Sequence, residues 1–285
     1  MRKIEIVNPD RFSTSSAFVA PHCRLEGPGR RFAASPPDAS IWMSTLELDA
    51  GAVLGWDPSH GDEALFVESG ELVVDGRICG AGGAIVIEAR ACPTVEVRVT
   101  SRVVHMGARG GEVVVDDIRP GPSAGGTDRN APAVHVVGPR GTFEAIEPGR
   151  ETRFFADATC PHCSLWLLYT ARSFAYESPV HSHSQDELIH LLRGEIRLGS
   201  LVAGPGATVF IAADQPYHFR SGPEGFAFLN YRRAASVMTI RPTGEKIIEA
   251  GAATGMTSVA DAGSPLERKR VLRSGERESW LENPT

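Results

Sequence analysis

The second half of this chain repeats the first, and that limits the possible folds more than any other feature. EIVNPDRF (5–12) is echoed by VHVVGPRGTF (134–143), and Ser40-Ile41-Trp42 by Ser164-Leu165-Trp166. A Glu follows each Trp by 21 residues (Glu63, Glu187), and a Gly-Glu pair follows by 28 (Gly70-Glu71, Gly194-Glu195). Beyond that the copies are read as differing by one residue, with Gly83 against Gly206 and Pro93 against Pro216. The apolar runs in each copy are short, rich in Val and Ile, and separated by Gly or Pro. They are ELVV, AIVI and VEVRV in the first half, and EIRL, TVFI and FAFL in the second. Runs of this kind read as strands. A long repeat made of strands predicts an all-β chain with two copies of one barrel in tandem. The expected division is a first barrel over 1–115, a linker over 116–133, a second barrel over 134–245 and a tail over 246–285. The linker, DDIRPGPSAGGTDRNAPA, has no apolar periodicity. In the tail, SVMTIRPTGEKIIEAG (236–251) could extend the second barrel, PLERKRVLRSGERESWLENPT alternates charge, and Trp280 is expected to dock on the body or on a second subunit.

The chemistry concentrates in residues 179–218. His181 and His183 are two apart, so on an extended strand both imidazoles leave one face. Glu187 follows after the polar SQD and opens the apolar run LIHLL, and a turn there brings its carboxylate back to the imidazoles. His218 stands behind the turn-rich AADQP. Three imidazoles and one carboxylate suit one divalent transition metal, such as Fe, Mn, Ni, Cu or Zn. On an octahedral ion they leave two positions for water, substrate or dioxygen. By strand parity Ile189 and Leu191 share the face of Glu187 and line the cavity, whereas His190 turns away. Arg220, two past His218, points by the same parity toward the site, where it could clamp a substrate carboxylate. The competing reading makes Arg220 a solvated charge on the rim.

These residues resemble the cupin superfamily. The first cupin motif, an HxH pair, three residues, Glu, six residues and Gly, reads here as His181-Ser-His183, Ser-Gln-Asp, Glu187, LIHLLR and Gly194. The second reads as Gly206, ATVFI, AADQP and His218. Ala212 and Asp214 stand where the family has Pro and Gly, and the Asn expected after the His is missing. The resemblance implies two tandem cupin jelly-roll barrels, with metal held by His181, His183, Glu187 and His218 in the second. In the first barrel Asp57, Ser59 and Val95 fall at the three histidine positions. That barrel is therefore read as metal-free, with Glu63 hydrogen-bonded to polar neighbours and His60 on an exposed loop. The activity implied is that of a metal-dependent dioxygenase-type oxidoreductase acting on a small organic substrate, with Glu187 doubling as a base. A non-oxidative lyase or isomerase and a non-catalytic metal or ligand sensor are the alternatives.

Composition narrows the partners. The net charge is −6 with no long basic run, so nucleic acid is not expected. No apolar stretch reaches the length of a membrane span, and MRKIEIVNPDRF is too polar for a signal peptide. Five cysteines (23, 79, 92, 160, 163) in a chain of 285 residues fit a reduced, cytoplasmic setting. Cys160-Pro-His-Cys163 lacks a second ligand pair for zinc and is read as a structural loop. A homodimer is compatible with all of this.

Overall fold

The computed structural model describes residues 3–14, 19–110, 132–158, 163–249 and 270–273. Most of the expected linker, Cys160, and the tail beyond Glu249 other than 270–273, Trp280 included, lie outside these. Among the described residues there is no α-helix, only a 3-10 turn at Pro9–Arg11. The first half supplies β1 (Ile4–Val7), β2 (Cys23–Glu26), β3 (Gly29–Ala33), β4 (Ile41–Leu48), β5 (Val53–Trp56), β6 (Glu63–Val74), β7 (Arg77–Gly80), β8 (Ala84–Ile87) and β9 (Thr94–Ala108). The second half supplies β10 (Val134–Val137), β11 (Phe143–Glu147), β12 (Arg150–Asp157), β13 (Trp166–Arg172), β14 (His181–His183), β15 (Glu187–Leu198), β16 (Leu201–Ala203), β17 (Thr208–Ile211), β18 (Arg220–Arg232), β19 (Ser236–Ile240), β20 (Lys246–Glu249) and β21 (Arg270–Arg273). The all-β expectation holds, though the sheets do not close into the two expected barrels.

The sheets do not respect the sequence halves. One runs β1-β17-β15-β18-β13-β12-β11-β21 and the other β10-β8-β6-β9-β4-β3, while β14, β19 and β20 form a small third sheet. Strand β1 therefore pairs antiparallel with β17 of the second half, and β10 pairs with β8 of the first. These are the two segments that open each repeat, so the exchange is reciprocal. Strands β8 (AIVI) and β17 (TVFI) are buried on both faces. Ile85 and Ile87 enter the interior of the first half and Val209 and Ile211 that of the second. Their alternates, Ala84, Val86 and Phe210, enter a core shared by the two halves. A strand between two cores is buried on both faces, which is why these runs are apolar but for Thr208, whose hydroxyl is paired with His190. The repeat's serines join the halves as well: Ser164 N donates to Asp62 Oδ2 at 3.0 Å, and Ser40 Oγ donates to Asp186.

The structural repeat also corrects the sequence alignment. Glu63 pairs with Ile87 and Glu187 with Ile211, each 124 positions on. Gly82 and Gly206 are the equivalent left-handed glycines, at φ 79° and 80°, and Arg90 and Asp214 are the equivalent left-handed residues of the next turn. The offset is unbroken here, so Gly206 matches Gly82 and not Gly83. The expected one-residue shift does not exist, and on a strand a slip of one residue turns a side chain to the other face.

Candidate functional site

The second half holds an open pocket of about 300 Å³. Strand β13 builds one wall with Trp166, Leu168, Thr170 and Arg172, alternate residues on one face. Phe154, Phe219, Phe226 and Phe228 add aromatic surface, and Ile189 an aliphatic one. His181, His183, Tyr217, Asn230, Arg232 and Glu249 line it with polar groups. Leu191, expected beside Ile189, is buried in the same core but does not line the cavity.

His181 and His183 lie on β14 as the HxH spacing requires. Each ring is held through Nδ1. His181 Nδ1 donates to the Pro179 carbonyl at 2.8 Å, and His183 Nδ1 donates to Glu249 Oε2 at 2.8 Å. For His181 the lone pair of Nε2 is thereby left on the other side of the ring. Burial pushes the pKa of His181 down, with the Pro179 carbonyl opposing, so the ring is neutral near neutral pH. Glu187 is 1% exposed, and both its oxygens are engaged by protein. Tyr217 Oη donates to Oε1 at 2.6 Å and Arg232 Nε donates to Oε2 at 2.9 Å, while His183 Nε2 lies 3.5 Å from Oε2. Burial pushes the pKa of Glu187 up, but His183 and Arg232 outweigh it and bring the carboxyl down to about 2. Arg232 also donates from Nη1 to Glu249, and its guanidinium lies 5.4 Å from the centre of the Trp166 ring. Burial likewise raises the pKa of Glu249, yet Arg232 and His183 leave it lowered overall. Tyr217 stays a phenol, because burial and the Glu187 charge raise its pKa well above the ordinary value.

His218 is not part of this group. Tyr217 exchanges two backbone hydrogen bonds of 2.9 Å with His181, so Tyr217 and Phe219 point inward and His218, half-buried between them, does not line the cavity. The residue in the inward position is Tyr217. Arg220 is exposed and pairs with Glu177 Oε1 at 2.9 Å, so it is a rim charge. The cavity's arginines are Arg232 and Arg172. Sequence reasoning missed Tyr217, Asn230, Arg232 and Glu249. Only Tyr217 carried a signal, since an unbroken repeat places Phe219 with the buried Val95 and so turns Tyr217, two residues before Phe219, to the same inward face. His190 does turn away, to Thr208 Oγ1 at 3.0 Å and to Glu68 of the first half at 3.2 Å.

The first half holds its glutamate differently. Glu63 Oε2 accepts from Trp56 Nε1 at 2.6 Å and from His105 Nε2 at 2.7 Å. Asp57 is exposed beside His22, and Val95 is in the core. His60 is not an exposed loop residue: it is fully buried, with its ring nitrogens 2.6 Å from the Gly61 carbonyl and 2.5 Å from that of Ala91. Cys163 is buried.

The expected four-ligand ion does not fit these residues. His218 is outside, Glu187 is saturated by Tyr217 and Arg232, and Glu249 is shared by Arg232 and His183. Among the described residues no group of three or more His, Cys, Asp or Glu is arranged to hold a metal ion.

No protein-family model matches the chain, and no curated protein matches it. Solved structures do. A putative glyoxylate-induced protein from Pseudomonas aeruginosa superposes with a TM-score of 0.55 at 16% identity, over 81% of this chain and 89% of the other. Protein Ylba from E. coli gives 0.53 at 14%, over 81% and 90%. The oxalate decarboxylase of Bacillus subtilis gives 0.53 at 14%, over 76% of each chain, and a further structure of that enzyme concerns its Mn(II) centres. At these identities the likeness establishes the fold. Among the described residues no helix is long and apolar enough to cross a membrane.

Proposed function

We propose that the second-half cavity binds a small organic molecule with an aromatic or aliphatic body, and that His181 is the proton acceptor facing it. The observation that carries this is a cavity with aromatic walls whose polar edge is formed by His181, His183 and Asn230. An apolar concavity with a few convergent polar side chains is the usual form of a small-molecule site. The phenyl rings supply contact area for an apolar body. His181 supplies a base already in its acceptor form, because Nδ1 is committed to Pro179. Glu187 is a poor base near neutral pH, since a carboxylate held to about 2 keeps its charge and gives little driving force for taking a proton. The acid–base reading favours a lyase- or isomerase-type reaction. The dioxygenase chemistry expected from the sequence needs a metal centre and gains no support from the donor set.

A panel of small aromatic and aliphatic carboxylic acids, ketones and enols tests this by thermal shift and calorimetry. At least one class should raise the unfolding midpoint of the wild type. Ile189→Phe, which fills the cavity, should abolish the shift, and His181→Ala should abolish turnover while keeping most of the binding. Oxygen uptake with any ligand found separates the oxidative reading from the non-oxidative one. Equal shifts in wild type and Ile189→Phe would place the binding elsewhere.

A further inference from the structure

The cupin resemblance calls for a metal cation beside Glu187, and the structure puts a protein cation there. We infer that Arg232 is the resident cation of the second-half site, that Tyr217 takes the place of a third imidazole, and that the pocket functions without a bound divalent metal. This holds whether or not the pocket turns a ligand over.

Three observations carry it. The first is the identity of the inward residue. Tyr217 is fixed by its paired backbone bonds to His181, and its hydroxyl donates to Glu187 at 2.6 Å. A protonated phenol satisfies that oxygen without coordinating an ion. The second is charge. Arg232 is 3% exposed and bridges two buried carboxylates, Glu187 and Glu249. A buried guanidinium with two carboxylate partners and an aromatic face is compensated in place. A dication entering beside it would meet like charge and would have to displace Arg232 or Tyr217 from Glu187. The Nε2 atoms of His181 and His183 are at most two donors, short of the three or four protein ligands that transition-metal sites of this kind use.

The third is the other half of the molecule, where the same glutamate is again held by protein donors. Glu63 takes Trp56 and His105, and the strand register that pairs Ala64 with Met106 and Leu188 with Tyr231 makes Gly107 the counterpart of Arg232. A Cβ at Gly107 would lie 2.4 Å from the Trp42 ring, so no arginine fits there. The two halves thus satisfy one buried carboxylate in two ways, by indole and imidazole in the first and by guanidinium and phenol in the second.

The test is metal analysis of the full-length protein from cells grown with added manganese, iron and zinc, followed by titration of the dialysed protein with Co²⁺ read by visible absorption. The wild type is expected to carry no stoichiometric ion and to show no cobalt bands. Arg232→Met is expected to lower the unfolding midpoint, with Co²⁺ or Mn²⁺ raising it again. Arg232→Met combined with Tyr217→His is expected to bind one cobalt per chain, because it frees Glu187 and supplies the third imidazole. Tyr217→His alone, which keeps the arginine, is expected to stay cobalt-free, and it preserves the test if the arginine variants do not fold. A wild type that retains one ion per chain and loses it in His183→Ala would overturn the inference. So would cobalt binding by Tyr217→His alone, or a folded double variant that takes up none.

Discussion

Glu187 shows most directly what a buried charge requires. Its two oxygens face Tyr217 and Arg232, with Asn230 and His183 close by. Removing one partner of a buried pair leaves the other uncompensated, at a cost of about 3–5 kcal/mol. Glu187→Gln should therefore lower stability by about that amount, measured by urea unfolding at neutral pH. The pH dependence has a definite sign. The carboxyl is held at about 2 in the folded protein against an ordinary value of 4.5, so the unfolded chain takes up the proton first as pH falls. The stabilisation from this group is complete above the ordinary value and is lost as pH falls toward about 2. Glu249, also lowered, acts in the same sense. The wild type should lose stability steeply over that window, and Glu187→Gln should give a flatter profile. Parallel profiles would show that the pair does not carry the stability assigned to it.

The Gly-Glu pairs noticed in the repeat acquire a physical reason at the scale of the strand. Gly70 and Gly194 sit inside the long strands β6 and β15 where the register with β9 and β18 shifts, and both have positive φ, 90° and 70°. A Cβ on Gly194 would come within 2.2 Å of the Gly225 carbonyl oxygen. Strand β15 carries Glu187 at one end, and the bulge at Gly194 allows the remainder to bend away. Gly194→Ala should cost about 1–3 kcal/mol from forced backbone geometry alone, read as a lower midpoint with the pocket otherwise intact. A neutral substitution would mean that the bulge relaxes without penalty. The strand elements also decide which half of the HxH logic succeeds. Two residues on three-residue β14 keep their parity, whereas parity counted through the AADQP turn to His218 was lost by one residue.

For the molecule as a whole, the exchanged strands β1 and β10, the Ser40–Asp186 and Ser164–Asp62 contacts and the shared core tie each half to the other. An excised second half, residues 134–249, would lack the strand that covers β17 and would expose an apolar edge. It should aggregate or remain unfolded, while the full chain should unfold in one cooperative calorimetric transition. Two resolved transitions, or a soluble folded fragment with native-like circular dichroism, would contradict this. The expected boundary at residue 115 cuts between β8 and its partner β10, and the boundary at 245 cuts off β20, whose Glu249 reaches the cavity.

The sequence by itself determined the all-β class, the two-fold repeat, the strands, the placement of His181, His183 and Glu187 in one site, and the outward turn of His190. These follow from short-range rules, alternation along a strand and turn residues between strands, which a single chain displays directly. Only the tertiary structure decided that Tyr217 enters where His218 was expected, that Arg220 stays at the rim, that His60 is buried, and that Arg232 and Glu249 meet at Glu187. Those outcomes depend on register between strands distant in sequence and on balancing charge among buried side chains. Arg232 lies 45 residues from Glu187, and Glu249 lies 66 from His183. No local pattern announces such partners, because what selects them is the cost of leaving a carboxylate buried and alone.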